Sequence, residues 1–71
     1  MIGNRVREMR EALALTQAQL AARLRIRRAT LSRLENGKVG CLDLRIFDRL
    51  CQILECQPGD LLFRRARARR R

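Results

Sequence analysis

The chain has 71 residues, 17 of them basic and 7 acidic, so it offers one small domain with a net charge of +10. Tyr and Trp are absent and β-branched residues are few, which disfavours a sheet protein, and no apolar run approaches the roughly 18 residues of a membrane span. An enzyme is disfavoured because His, the commonest general base, is missing and no carboxylate pair or Cys–base arrangement stands out.

The three cysteines, Cys41, Cys51 and Cys56, do not show metal-ligand spacing. Zinc would need four thiolates in a chain without His, so we expect no metal and no other cofactor. Cys51 falls on an apolar helix face and is expected to be a small buried hydrophobe. An odd number of thiols suits a reducing compartment, and no signal peptide is visible, which together predict a cytoplasmic protein with access to the nucleoid.

The first predicted helix covers roughly residues 3–13, because apolar residues recur there at steps of four, three and four. These residues are Ile2, Val6, Met9 and Leu13. The second predicted helix begins after Thr16, which forms a T-x-x-Q capping box with Gln19. Its inward face is formed by Leu20, Ala21 and Leu24.

The third predicted helix runs from about Arg28 to Glu35 and is closed by Asn36-Gly37, a typical left-handed cap. Its helical spacing leaves a polar outer face made of Arg28, Ala29, Ser32 and Arg33. The fourth helix spans Leu44 to Leu54 with Asp43 as its N-cap, and the fifth opens at Pro58 and carries Leu61 and Leu62. The expected fold class is therefore all-α, a compact five-helix domain over residues 1–63.

Two features allow more than one interpretation. Ile46 and Ile53 widen the apolar face of the fourth helix, either as extra core or as a flank for a second subunit. Residues 64–71, RRARARRR, hold six arginines and are expected to be disordered because their charges repel. This tail is either a solvated terminus or a sequence-blind grip on phosphates.

Two helices joined by a short turn, with the second one basic, predict a helix-turn-helix unit that binds DNA. The residues T-Q-x-x-L-A-x-x-L-x-I-x-R-x-T-L-S-R-L-E-N-G-K resemble the Cro/cI-type (XRE family) helix-turn-helix regulators, which include the lambdoid phage repressors. The ending L-C-Q-I-L-E-C-Q-P-G-D-L-L is similar to the last two helices of a short, single-domain bacterial branch of that family. The resemblance covers about residues 2–63 and implies a compact Cro/cI repressor-like fold.

The resemblance also implies roles for individual residues. The positions that read bases correspond to Arg28, Ala29 and Arg33, with Ser32 beside them at the groove wall. The positions that contact phosphates or lie close to the backbone correspond to Thr16, Gln17, Arg25, Arg27, Thr30, Asn36 and Lys38. A structural ion pair of the family corresponds to Arg10 and Glu35.

The chemistry of the outer face agrees with these roles. An arginine can donate two hydrogen bonds to O6 and N7 of guanine, worth about 1–3 kcal/mol of discrimination, so we expect at least one G in each half-site, read by Arg28 or Arg33. Alternatively, both arginines only hold phosphates. Ala29 can contact a thymine methyl group but cannot hydrogen-bond a base.

Two positions depart from the family pattern. Arg25 stands where the family has Gly in a left-handed turn, a conformation that costs a non-Gly residue roughly 1–2 kcal/mol. Arg27 stands where Ser or Thr caps the third helix, and arginine cannot accept that hydrogen bond. We hypothesise that Arg25, Arg27 or both contact a phosphate and that this contact comes at a cost in local stability.

These observations predict a transcriptional repressor that binds double-stranded DNA as a homodimer on a pseudo-palindromic operator. We expect its dimer surface on the fourth and fifth helices, with Ile46, Ile53, Leu61 and Phe63 as candidates. The alternative is an antitoxin-like interaction module that binds a toxin or another protein partner and also represses its own operon.

Overall fold

The computed structural model describes residues 2–64, which form five helices and a two-stranded sheet. In chain order the elements are β1 (Ile2–Asn4), α1 (Val6–Ala12), α2 (Gln17–Leu24), α3 (Arg28–Glu35), α4 (Leu44–Leu54), α5 (Pro58–Leu61) and β2 (Leu62–Arg64). The helix-rich architecture agrees with the prediction, but the expected all-α class omitted the sheet. Of the predicted tail, Arg64 ends β2 and residues 65–71 lie outside the described residues.

The sheet joins the two ends of the described chain. β1 and β2 are antiparallel, with Ile2 opposite Arg64 and Asn4 opposite Leu62. Because these residues pair as strands, α1 begins at Val6 and not at residue 3 as predicted. Ile2 consequently leaves the expected apolar stripe and is 62% exposed.

Asn4 connects the sheet to two helices. Its side-chain oxygen accepts a hydrogen bond from the backbone N–H of Val6 at 3.1 Å, which satisfies one free donor at the start of α1. Its Nδ2 donates to the backbone carbonyl of Leu34 at 2.9 Å, in the last turn of α3. The sheet is thus attached directly to the end of the third helix.

The core consists mainly of leucines from α2 to α5, together with Val6 of α1. The side chains with almost no exposed surface are Val6, Leu20, Leu24, Leu31, Leu50 and Leu61. Burying one such side chain contributes about 1.5–3 kcal/mol, which makes this cluster the main source of stability in so small a domain. Cys51 is buried beside them, as predicted, and its burial raises the pKa of the thiol.

The burial of Leu61 corrects the predicted dimer surface. Leu61 has no exposed surface in the monomer and cannot face a second copy. Ile46 and Ile53 are partly buried and pack against the core, which accords with the extra-core interpretation. Phe63 is partly buried in β2, and the guanidinium of Arg5 lies 4.3 Å from the centre of its ring.

The helix ends follow the local signals in the sequence. Thr16 Oγ1 accepts from the backbone N–H of Gln19 at 3.0 Å, and the Gln19 side chain accepts from that of Thr16 at 2.9 Å, so the capping box is present. Asp43 caps α4 by accepting from the backbone N–H of Arg45 at 2.8 Å. No helix within residues 2–64 is long and apolar enough to cross a membrane.

Candidate nucleic-acid interface

The turn between α2 and α3 is made by residues 25–27. Arg25 adopts a left-handed conformation with φ +60° and ψ +41°. This reversal lets the backbone N–H of Ile26 bond to the carbonyl of Ala21 at 3.0 Å, which closes α2 and starts the turn. Ile26 then packs against the core and fills the corner between the helices.

The predicted base-reading residues all lie on the outer side of α3. Leu31 and Leu34 are buried and turn the helix so that the opposite side faces solvent. That outer side is formed by Arg28, Ala29 and Arg33, which are exposed, and Ser32, which is partly exposed. A helix presented in this way can enter the major groove of DNA, which is wide enough to admit it.

Among residues 2–64, the two arginines of this face make only long hydrogen bonds. Arg28 Nε lies 3.5 Å from the Gln17 side-chain oxygen, and Arg33 Nη2 lies 3.3 Å from the backbone carbonyl of Lys38. Each guanidinium carries five N–H donors, so most of them remain available for an acceptor such as guanine or a phosphate. Arg33 is exposed one turn inside the helix, where base edges would be within reach.

The predicted phosphate-contacting residues border the same face. Six of the seven, namely Thr16, Arg25, Arg27, Thr30, Asn36 and Lys38, are exposed. Within residues 2–64, the side chains of Arg25 and Arg27 form no hydrogen bond or ion pair, and Arg27, which precedes α3, gives that helix no side-chain cap. The seventh, Gln17, is partly buried and its amide is already used inside the protein.

Glu35 is the centre of a buried hydrogen-bond network at the end of α3. Its carboxylate has no exposed surface and accepts from Arg10 Nε at 2.6 Å and Arg10 Nη2 at 3.2 Å, so the ion pair implied by the resemblance is present. Gln17 Nε2 donates to the same carboxylate at 2.9 Å. Burial by itself would raise the pKa of Glu35, but the hydrogen bonds from Arg10 and Gln17 outweigh it and hold that pKa below its ordinary value.

The burial of Glu35 determines the charge of the whole face. Between Glu11 and Asp43 it is the only acidic residue, and the same stretch carries six basic residues. Since the carboxylate is withdrawn from the surface and paired, it does not repel an approaching phosphate. The exposed side of α2 and α3 therefore presents positive charge alone.

Arg7 was not identified from the sequence as part of this site. Its Nη2 donates to the Asn36 side-chain oxygen at 2.6 Å, and its Nε lies 3.5 Å from the Glu35 carboxylate. The contact directs the Asn36 oxygen toward Arg7 and leaves its amide nitrogen, 3.5 Å from the Ser32 hydroxyl, near the outer face of α3. The available signal was the spacing of Arg7 and Arg10, which share one side of α1.

Two short helices, a tight left-handed turn and an arginine-bearing outer face define a helix-turn-helix DNA-binding protein. The chain belongs to the Cro/C1-type HTH DNA-binding domain family, whose model matches residues 5–65. It is also 42% identical over 48 residues to YozG of Bacillus subtilis (strain 168), described as an uncharacterized HTH-type transcriptional regulator. That alignment covers 68% of this chain and 57% of the relative's length. The chain accordingly carries a DNA-binding domain of the helix-turn-helix class and matches a little over half the length of this relative.

Proposed function

We propose that the protein is a sequence-specific repressor that binds a pseudo-palindromic operator as a homodimer, with α3 in the major groove. The observation that carries the proposal is the solvent face of α3, where Arg28 and Arg33 are exposed and the nearby acid Glu35 is buried. Repression follows from occupancy of the operator, which blocks polymerase by position.

In each half-site, one group of residues contacts bases and a second group contacts phosphates. Arg28 and Arg33 donate to guanine, Ala29 contacts a thymine methyl group, and Ser32 bonds at the groove wall. The surrounding residues hold phosphates and fix the register of α3 without reading sequence. Thr16 can take part because its hydroxyl accepts from Gln19 and still has a proton to donate.

The homodimer is proposed because one helix of eight residues reads only a few base pairs. Two copies related by a two-fold axis, with recognition helices about 34–36 Å apart in successive grooves, double that information. A palindromic operator is the expected consequence, since its symmetry mirrors that of the protein.

The test is selection of bound sequences from a random duplex pool at two salt concentrations. We expect enrichment of a pseudo-palindrome with a guanine in each half-site. Arg28→Ala and Arg33→Ala should relax the selected sequence at the base that each reads. Lys38→Ala provides the control, because Lys38 is exposed and assigned to a phosphate, so its loss should weaken binding without changing the selected sequence.

Two outcomes would contradict the proposal. Binding without enrichment that disappears at the higher salt would mean that the arginines hold phosphates only. An antitoxin-like interaction module would then become the better reading of the chain. Unchanged selection by both alanine variants would show that other residues read the bases.

A further inference from the structure

The most exposed large apolar side chain in residues 2–64 belongs to Leu44, at the start of α4. Leu44 is 77% exposed and borders a groove of about 310 Å³ between α4 and the start of α5. The lining of this groove is mixed: Phe47, Cys51 and Pro58 give it an apolar part, and Asp48, Gln52 and Gln57 give it a polar part. One face of the molecule therefore carries both a projecting apolar side chain and a groove with an apolar part that can receive one.

We infer that this face, which we call the Leu44 face, is the surface through which a second copy of the chain docks. In each dimer, the Leu44 side chain of one copy enters the groove of the other. The inference rests on the proposed function, since it identifies the surface that forms the proposed homodimer.

The combination of projection and groove points to a second copy and not to an unrelated partner. A two-fold interface uses the same patch on both subunits, so each projecting group must find its receptor on an identical surface. The Leu44 face satisfies this condition by itself. An unrelated protein would need only one of the two features.

Charge also favours docking at this face. Two copies with a net charge of +10 repel each other over most of their surface. On the exposed side of α4, however, Arg45 is accompanied by Asp48, and the guanidinium of Arg49 is directed to the backbone carbonyl of Leu24 at 3.1 Å. The nearly balanced charge around Leu44 lowers the repulsion where the copies would meet.

A second groove has a more apolar lining but is less suited to a homodimer because of the charge beside it. It has a volume of about 240 Å³ and is bordered by Ile2, Val39 and Leu42. Ile2 pairs with Arg64, the first residue of the six-arginine tail. Docking there would bring the Arg64 residues of the two copies close to each other, and their like charges oppose association.

The proposed dimer does not need high affinity in solution. Stable interfaces bury about 800 Å² on each partner, more than one leucine and one groove supply. On an operator, DNA holds both copies side by side and gives the second contact a high effective concentration. The interface therefore makes the binding of two copies to adjacent half-sites cooperative.

The test compares Leu44→Ser with Leu13→Ser on duplexes that carry the selected full site or one half-site. Leu13 is the matched control, because it is 46% exposed and borders neither groove. We expect Leu44→Ser to lose about 100-fold in full-site affinity, since each symmetric dimer buries two Leu44 side chains and each contributes about tenfold. Half-site affinity should stay unchanged, and circular dichroism should show an intact fold.

Other results would contradict either the Leu44 face as the interface or the homodimer itself. Equal full-site affinity of the two variants would overturn the Leu44 face as the interface. Loss of full-site affinity in Ile2→Ser in place of Leu44→Ser would overturn it too and would move the interface to the sheet. Wild-type protein that binds the full site no better than a half-site would contradict the homodimer of the proposed function itself.

Cross-linking on the full-site duplex gives a second measurement, which reports the distance between the two copies. Cys56 is partly exposed and borders the groove, so Leu44→Cys should be joined to Cys56 of the other copy by a short bis-maleimide. The exposed Cys41 is replaced by Ser to remove its background, and Leu13→Cys in the same background is the control. A covalent dimer linked between positions 44 and 56 supports the inference, whereas equal yields from both variants overturn it.

Discussion

At the scale of single residues, Glu35 reconciles two demands on the DNA-facing unit. The helix-turn-helix needs an acceptor that ties α1, α2 and α3 together, and its surface must not repel phosphate. A carboxylate without exposed surface meets both, because Arg10 and Gln17 occupy its oxygens. Removing one partner from a buried ion pair costs about 3–5 kcal/mol, so this network is a large fraction of the stability of a small domain.

The network predicts a specific dependence of stability on pH. The pKa of Glu35 is lowered in the folded protein, so its contribution is complete above its ordinary pKa of 4.5 and is lost as the pH falls through the folded value. Glu35→Gln should lower the thermal midpoint by at least about 12 °C at pH 7. The difference in midpoint between the unchanged protein and this variant should become smaller below pH ~4. Midpoints measured by circular dichroism between pH 7 and 3 test this.

The control for the pH series is Asp43→Asn, which keeps a capping side chain on α4 and removes a different carboxylate with a lowered pKa. In the Asp43→Asn background, the difference in thermal midpoint caused by Glu35→Gln should still become smaller as the pH falls below ~4. A gap between wild type and Glu35→Gln that is the same at every pH would contradict the assigned role of the carboxylate.

At the scale of elements, three helices are followed by a non-glycine residue in the left-handed conformation. Ala14, Arg25 and Glu55 have positive φ angles of 59°, 60° and 54°, whereas α3 is followed by Gly37 at 72°. The left-handed conformation costs a non-Gly residue roughly 1–2 kcal/mol. Of the three side chains, only that of Arg25 can contribute positive charge next to α3, which suggests a functional reason for retaining it.

Substitution by glycine separates the structural role from the functional one. Arg25→Gly and Glu55→Gly should each raise the free energy of unfolding by about 1 kcal/mol. Only Arg25→Gly should weaken DNA binding, with the slope of log affinity against log salt reduced by about 1 if one phosphate contact is lost. Chemical denaturation measures the change in stability, and salt titrations measure the change in DNA binding. An unchanged DNA affinity of Arg25→Gly would show that Arg25 does not contact a phosphate.

Elements marked by short-range signals were predictable from the sequence. Thr16 with Gln19, Asn36-Gly37 and Asp43 are signals that span four residues or fewer, and they locate α2, α3 and the start of α4. The sheet could not be predicted in this way, because Ile2–Asn4 and Leu62–Arg64 are three residues each and meet only after the chain has folded. Neither strand is long enough to show alternation.

The same distinction explains for which side chains exposure or burial could be predicted. The outer face of α3 follows from helical spacing alone, so its exposure could be predicted. The burial of Leu61 and the exposure of Leu44 depend on how α4 and α5 pack, which no local pattern contains. Arg7 was missed for a related reason, since its partner Asn36 is 29 residues away in the sequence.

At the scale of the whole molecule, the distribution of charge connects the fold to DNA binding. β2 carries the chain to Arg64, opposite Ile2, and Asn4 on the neighbouring strand is bonded to the end of α3. The arginine tail therefore starts on the sheet that is attached to the recognition helix. From this origin, residues 65–71 could contact phosphates next to the operator.

This placement leads to a prediction about the five arginines beyond Arg64, which are Arg65, Arg67, Arg69, Arg70 and Arg71. Replacing all five with Ser should lower operator affinity and reduce the slope of log affinity against log salt by up to about 4.5, since each phosphate contact contributes about 0.9. The selected sequence and the thermal midpoint should not change, because phosphate contacts carry no sequence information and the core is untouched. An unchanged slope would identify the tail as a solvated terminus, and an altered selected sequence would mean that the tail reads bases. Only a reduced slope with an unchanged sequence assigns the tail a role in affinity and leaves specificity to α3.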